Sequence, residues 1–367
     1  MTVTEKRIAS VEWLRIFAAM CVAMFHFEAL YFGKNVYFAN IAVVVDFFFI
    51  LSGFLLMKGI LAKEPPGTGS SLTASLQFVF RKAKSFYLPY ILAFAMTFIL
   101  TTVAAKMTNP GEIVARLFHF KWEALLLQMA GFNPSPAFNA DYLAGSAWFL
   151  SAMLIAMLPV HYFASRHRHA YISLIAPVST LSVYCFIMQN YGTMNVGNEL
   201  VGFVMLGTLR AFAGLGLGCM CFAIYDKIRD LQWTQRSTVG LGIVEAICFL
   251  SLPCLILLRD SISSPDTLFW VLIFAILVIF CFSEKTPLVR ILNRHGANAA
   301  SYLGRLSLYI YLFHWFFVLL FVNYAPELSY CSGQLSYCLC VISASMLVMH
   351  LIDRQKNWQI IRATKQG

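Results

Sequence analysis

Ten stretches of about twenty mostly apolar residues follow one another along this chain, near 12–31, 40–58, 85–105, 146–164, 170–188, 200–224, 239–258, 267–283, 301–322 and 335–352. A helix of about 20 residues crosses the hydrocarbon core of a bilayer. Backbone polar groups find no water there, so each stretch must satisfy its own hydrogen bonds as a helix. The fold class is therefore all-α, a polytopic membrane helix bundle of about ten transmembrane helices, read as a single domain over 1–367. Composition agrees, because 60% of residues are hydrophobic and 12% charged, half the roughly 25% charge of a soluble domain. Soluble, disordered and collagen-like classes are excluded. The first stretch holds Arg15 and His26 and lacks a small-residue cleavage site, so it is a retained helix rather than a signal peptide. The longest connection, 106–145, is an outer loop in which Trp122 to Phe132 is read as an interfacial or re-entrant helix.

The net charge of +10 raises the question of a polyanionic partner. Its distribution answers it. With the N-terminus inside, nineteen Lys and Arg fall in the cytoplasmic segments, whereas Lys34, Lys106, Arg116, Lys121 and Arg259 make five outside. That asymmetry sets both termini in the cytoplasm of a multi-pass protein of the inner or plasma membrane. The partner of the basic loops is the bilayer, and no nucleic acid is required. Most of the ten Cys lie inside apolar runs, and Cys219/Cys221 and Cys338/Cys340 have no second pair at ligand spacing. They read as small hydrophobes rather than a metal site.

Ionisable groups inside a span are costly and point to function. Arg15 and His26 stand eleven residues apart on the first helix, within about 20° of one face and roughly 16 Å apart along the axis. One face thus carries a cation near the cytoplasmic surface and an imidazole deeper in, which suits a long anionic ligand. Counting depths, Asp46 and His314 fall at the level of His26, while Arg81, Lys84 and Arg305 fall with Arg15. The basic groups suit either a phosphate-binding layer or ordinary snorkelling cations. Asp46 reads either as orienting His26 or as the buried partner of a cation. Arg210 stands mid-span, with Glu245 as one acidic group able to pair with it. His161, His167, His169 and His350 read as membrane-edge polar groups.

These residues resemble the membrane acyltransferase-3 family. Arg15-x10-His26 matches its first-helix pattern, and Phe48-Phe49-Ile50-Leu51-Ser52-Gly53-Phe54, after Val45-Asp46, matches its F-F-x-x-S-G-F signature. Arg81-x-x-Lys84 before Pro89-Tyr90 resembles the family's basic R-x-x-R, with Lys in the second place, which keeps a point charge and loses bidentate geometry. Trp148-Phe149-Leu150-Ser151-Ala152, Tyr302 to Arg305 and Tyr311 to His314 are similar to familial segments. The resemblance spans about residues 8 to 352 and implies the stand-alone branch of the family.

What it implies is transfer of an acyl group, acetyl above all, from cytoplasmic acetyl-CoA or another acyl-CoA to a hydroxyl of a saccharide or other cell-envelope acceptor. His26 and Asp46 are then the catalytic pair, and Arg15, Arg81, Lys84 and Arg305 bind the coenzyme. Ser52, Trp148 and His314 contact substrate, with Ser52 and Gly53 also serving close helix packing. No metal is called for. A Ser nucleophile finds no G-x-S-x-G elbow here, and the H-x4-D of glycerolipid acyltransferases is absent. The competing class is a secondary transporter of a small anionic or sugar solute, for which an inverted repeat is the missing sign.

Overall fold

The computed structural model describes residues 8–63, 71–104, 111, 148–197, 199–202, 204–258, 264–325 and 327–366. Helix α1 is Ala9–Tyr31, and a 3-10 turn at Ile41–Val43 leads into α2, Val44–Lys63. Helices α3, Leu72–Ala104, and α4, Trp148–Arg166, follow. A short turn at Arg168–Ala170 and a π-helical stretch at Tyr171–Ile175 open onto α5, Ala176–Tyr191. A minimal antiparallel hairpin, β1 Leu200–Val201 and β2 Val204–Met205, pairs Leu200 with Met205 and Val201 with Val204. Then come α6, Leu206–Ile228; α7, Gln235–Ser251; a turn at Cys254–Leu257; and α8, Ser264–Ser283. The chain ends with α9, Pro287–His295; α10, Ala297–Tyr324; and α11, Tyr330–Gln366.

Among the described residues nine helices are long and apolar enough to cross a membrane, or ten if α8 and α9, bent by 61°, count as one span. The helical bundle is as expected, with two differences of extent. Helix α3 starts at Leu72 rather than near 85, so the basic segment 81–84 is helical and not loop. Leu200–Val201 and Val204–Met205, expected in a span, are the strands of the hairpin, and α6 begins only at Leu206. The stretch Trp122 to Phe132 lies outside the described residues.

The bend after α8 has a chemical cause. Thr286 and Pro287 restart the helix, and the buried Glu245 carboxylate of α7 receives the Thr286 hydroxyl at 2.6 Å and the Leu288 and Val289 N–H groups at 3.0 Å each. An acidic side chain at a helix N-terminus satisfies orphan donors and favours the dipole. Glu245 is thus occupied as the cap of α9 and is not the partner of Arg210. His161 is likewise interior: it is buried on α4, 2.9 Å from the Ser75 hydroxyl of α3 and stacked on Phe78.

The most extensive interfaces are α1 on α10 and α2 on α6. The second depends on glycine. A Cβ on Gly53 would strike the Leu215 carbonyl, one on Gly218 the Ile50 carbonyl, and one on Gly214 the Phe49 side chain. Small residues four apart on α6 let the two backbones touch, which is how helices gain packing energy in a membrane. Gly218→Val should therefore cost at least about 1–3 kcal/mol by overpacking. Gly240→Ala on α7, whose added methyl meets nothing within 4 Å, should melt at or slightly above the wild-type temperature. Fluorescence-detected melting of detergent-purified protein compares them, and equal curves would remove the seam from the account.

Candidate active site

Two cavities open into the bundle from opposite ends. The larger, about 510 Å³, is lined by Glu12, Arg15, Lys58 and Lys82 of α1, α2 and α3 and by the aromatic residues Phe48, Phe149 and Tyr311. The smaller, about 250 Å³, is walled by His26, Trp148, Asn195, Glu199, Arg210, Trp315 and again Tyr311. Tyr311 is the shared wall. Its ring centre lies 6.3 Å from Phe48, 5.6 Å from Phe149 and 5.8 Å from the His314 imidazole.

The α1–α10 interface brings the two histidines together. His26 and His314 stack with ring centres 5.4 Å apart and planes at 21°, and the Trp315 ring meets His26 edge-on at 5.3 Å. His26 is half-buried and faces the smaller cavity, whereas His314 is fully buried. The His314 Nδ1 lies 2.7 Å from the Tyr311 carbonyl oxygen. A carbonyl only accepts, so Nδ1 carries the proton and Nε2 keeps its lone pair. That Nε2 is buried with no hydrogen-bond partner among the described residues.

Behind the smaller cavity lies a buried ion pair. Arg210 of α6 and Asp46 of α2, 1% and 0% exposed, meet at 2.6 Å. All five guanidinium N–H groups are taken up: Nε by the Asp46 carboxylate, Nη1 by the Met194 and Val196 carbonyls, and Nη2 by the Ala42 carbonyl and Asp46. Tyr184 donates to the same carboxylate at 2.9 Å. Asp46 therefore buttresses the cavity wall, and it makes no bond to His26.

The expected residues fall as follows. Arg15 and Ser52 line the larger cavity; Arg15 is bonded to Glu12 at 2.8 Å, and the Ser52 hydroxyl lies 3.5 Å from the Met153 sulfur. Arg81 and Lys84 are exposed, and Lys82 faces that cavity instead. A signal for this was available: the buried stripe Ala93, Tyr90, Phe86 extends back by one helical turn onto Lys82. Arg305 pairs with Asp353 of α11 at 2.6 Å, outside both cavities. Trp148 lines the smaller cavity, and His314 supports His26 from behind. Sequence reasoning missed Glu12, Lys58 and Tyr311 as wall residues. The first sits one turn before Arg15, where a partner on the same face is expected.

A family profile described as an acyltransferase domain, that of the acyltransferase-3 family, matches residues 8–353. The chain belongs to the acyltransferase-3 family. No curated protein and no solved structure matches it. As a member of this family it is a membrane acyltransferase. Among the described residues no group of three or more His, Cys, Asp or Glu is placed to hold a metal ion.

Removing one member of the buried pair strands the other. Asp46→Asn leaves the Arg210 guanidinium without its counter-charge, a change that typically costs about 3–5 kcal/mol. The variant should show a sharply lower melting temperature in detergent, and a wild-type melt would mean that the pair does not hold the wall.

Proposed function

We propose that this acyltransferase moves an acyl group, acetyl in the first instance, from acyl-CoA to a hydroxyl of a saccharide or other cell-envelope acceptor across the inner or plasma membrane. The observation that carries the reading is the stacked histidine pair, of which His26 faces the smaller cavity, beside Tyr311, a residue that lines both cavities. The larger cavity is lined by three cations, Arg15, Lys58 and Lys82, against one acid, Glu12, and by aromatic residues that include Phe48, Phe149 and Tyr311. A coenzyme has matching parts, with phosphates at one end and a thioester at the other. The excess of Lys and Arg in the segments that hold Lys58 and Lys82 supports a cytoplasmic mouth, the side on which acyl-CoA is made.

The chemistry then needs a base for the hydroxyl proton. His26 takes that proton in the smaller cavity as the acceptor oxygen bonds to the thioester carbonyl carbon. The C–S bond breaks, and the proton passes from His26 to the departing thiolate, so that free coenzyme thiol and an ester are the products. His314, with its tautomer set by the Tyr311 carbonyl, holds the His26 ring by stacking. The thioester reaches the acceptor past the Tyr311 ring, which separates the two spaces in this conformation.

In proteoliposomes supplied with radiolabelled acetyl-CoA and envelope glycan, His26→Ala should lower turnover by about 10²–10⁴-fold, the usual worth of a positioned acid–base group. Arg15→Ala and Lys82→Ala should raise the KM for the donor about tenfold, the loss of one charge-assisted hydrogen bond, whereas Lys84→Ala leaves it near wild type. Turnover retained in His26→Ala would remove the proposed base. A larger KM effect at Lys84 than at Lys82 would move the coenzyme to the other face of α3.

A further inference from the structure

The smaller cavity has a built floor. The Trp148 indole rests on two glycines that face each other across a backbone hydrogen bond, Gly207 N–H to Gly197 carbonyl, 3.1 Å. A Cβ on Gly197 would lie 2.9 Å from the ring atoms Cε2 and Cζ2, and one on Gly207 2.8 Å from Cε3 and Cζ3. Glycine at both places lets the benzo half of the ring lie against the backbone, and the rest of the indole is left to the cavity it lines.

Charge narrows what this floor can hold. Among the described residues, the ionised groups lining the cavity are Arg210 and Glu199. Arg210 has every N–H engaged and its charge met by Asp46, so it has no donor to offer a ligand. Glu199 is exposed, and one of its oxygens receives the Gly197 N–H at 2.6 Å. Its negative charge is the one that a ligand meets. Beside it the Asn195 amide supplies both a donor and an acceptor. At about 250 Å³ the cavity falls below the roughly 300–1,000 Å³ of pockets for drug-sized molecules, which limits it to a single ring.

We propose that this cavity is the acceptor site, that it takes one uncharged polyhydroxylated ring of the pyranose type, and that it rejects rings carrying a carboxylate or phosphate. The C–H face of the ring stacks on Trp148, its hydroxyls donate to Glu199 and bond to Asn195, and one hydroxyl is left facing His26. Among the described residues an anionic ring meets Glu199 as a like charge, and the cation of the lining, Arg210, is already paired with Asp46. The site rests on the acyl-transfer reading for its purpose, and on the cavity alone for its existence.

Saturation-transfer NMR on the full chain in nanodiscs tests it without any donor, with methyl β-D-glucopyranoside and the corresponding methyl glucosiduronate as probes. The expected result is transfer to the ring protons of the neutral glycoside, with the uronate about tenfold weaker through like-charge repulsion. Trp148→Ala should abolish the signal, and Trp148→Phe, which keeps an aromatic ring on the glycines, should retain part of it. Glu199→Gln should bring the two probes closer together. Equal signals in wild type and a folded Trp148→Ala, or a uronate that binds as well as the neutral glycoside, would overturn the proposal. If Trp148→Ala does not fold, Glu199→Gln decides, since an unchanged preference there overturns it as well. Acetyl-CoA turnover on the same preparations separates the two readings. Glycoside binding without transfer removes the acyl-transfer reading and leaves the site, and transfer to an acceptor without glycoside binding removes the site and leaves the enzyme.

Discussion

Asp46 and Arg210 meet 2.6 Å apart where solvent does not reach, and the geometry of the smaller cavity follows from what that contact demands. Two ions taken out of water recover their hydration only if every remaining lone pair and proton is satisfied. The protein meets the demand by bringing four segments to one guanidinium: α2 through Asp46, the 3-10 turn through the Ala42 carbonyl, the connection before the hairpin through Met194 and Val196, and α6, which carries Arg210 itself. Tyr184 of α5 serves the other ion, donating its hydroxyl to the Asp46 carboxylate. Met194 and Val196 flank Asn195, and the next residue, Gly197, supports Trp148. The ion pair is thus the fixture from which the cavity wall hangs, and it is electrically closed, which leaves the cavity's character to Glu199, Trp148 and His26.

The other end of the bundle answers a different requirement. A long polyanionic donor needs cations it can reach, and these are costly inside hydrocarbon. Arg15, Lys58 and Lys82 line the larger cavity together with Glu12, which pairs with Arg15. The same lining includes Phe48, Phe149, Met153 and Tyr311. Under the proposed function, charged and apolar lining in one cavity suits a donor held by its phosphates with its reactive end kept from bulk water.

Much of this was legible in the chain. Helical spacing alone put Arg15 and His26 on one face, and depth counting put His314 at the level of His26, because α1 and α10 run the same way and pack along their lengths. What failed was whatever depends on rotation about an axis or on a partner from another helix. Arg81 and Lys84 share a face, but packing of Phe86 and Tyr90 turns that face outward and Lys82 inward. Arg210 looked mid-span because residues 200–205 were counted as helix. With Leu200–Val201 and Val204–Met205 as strands, Arg210 lies one turn inside α6, level with Asp46 at the start of α2. Glu245, ten residues into α7, faces the α9 terminus instead.

Tyr311 carries two separable duties. Its backbone carbonyl receives the His314 Nδ1 proton and so fixes which imidazole nitrogen keeps a lone pair, while its ring stands between the two cavities. The first is a property of the helix, since a carbonyl three residues back is in reach of any histidine on α10 with this rotamer. The second belongs to the side chain alone. A substitution at Tyr311 therefore changes the lining that the two cavities share without changing the tautomer. The same residue in both roles also explains why the shared wall sits beside the imidazole pair: the ring and the carbonyl that serve them leave one Cα, less than one helical turn from His314.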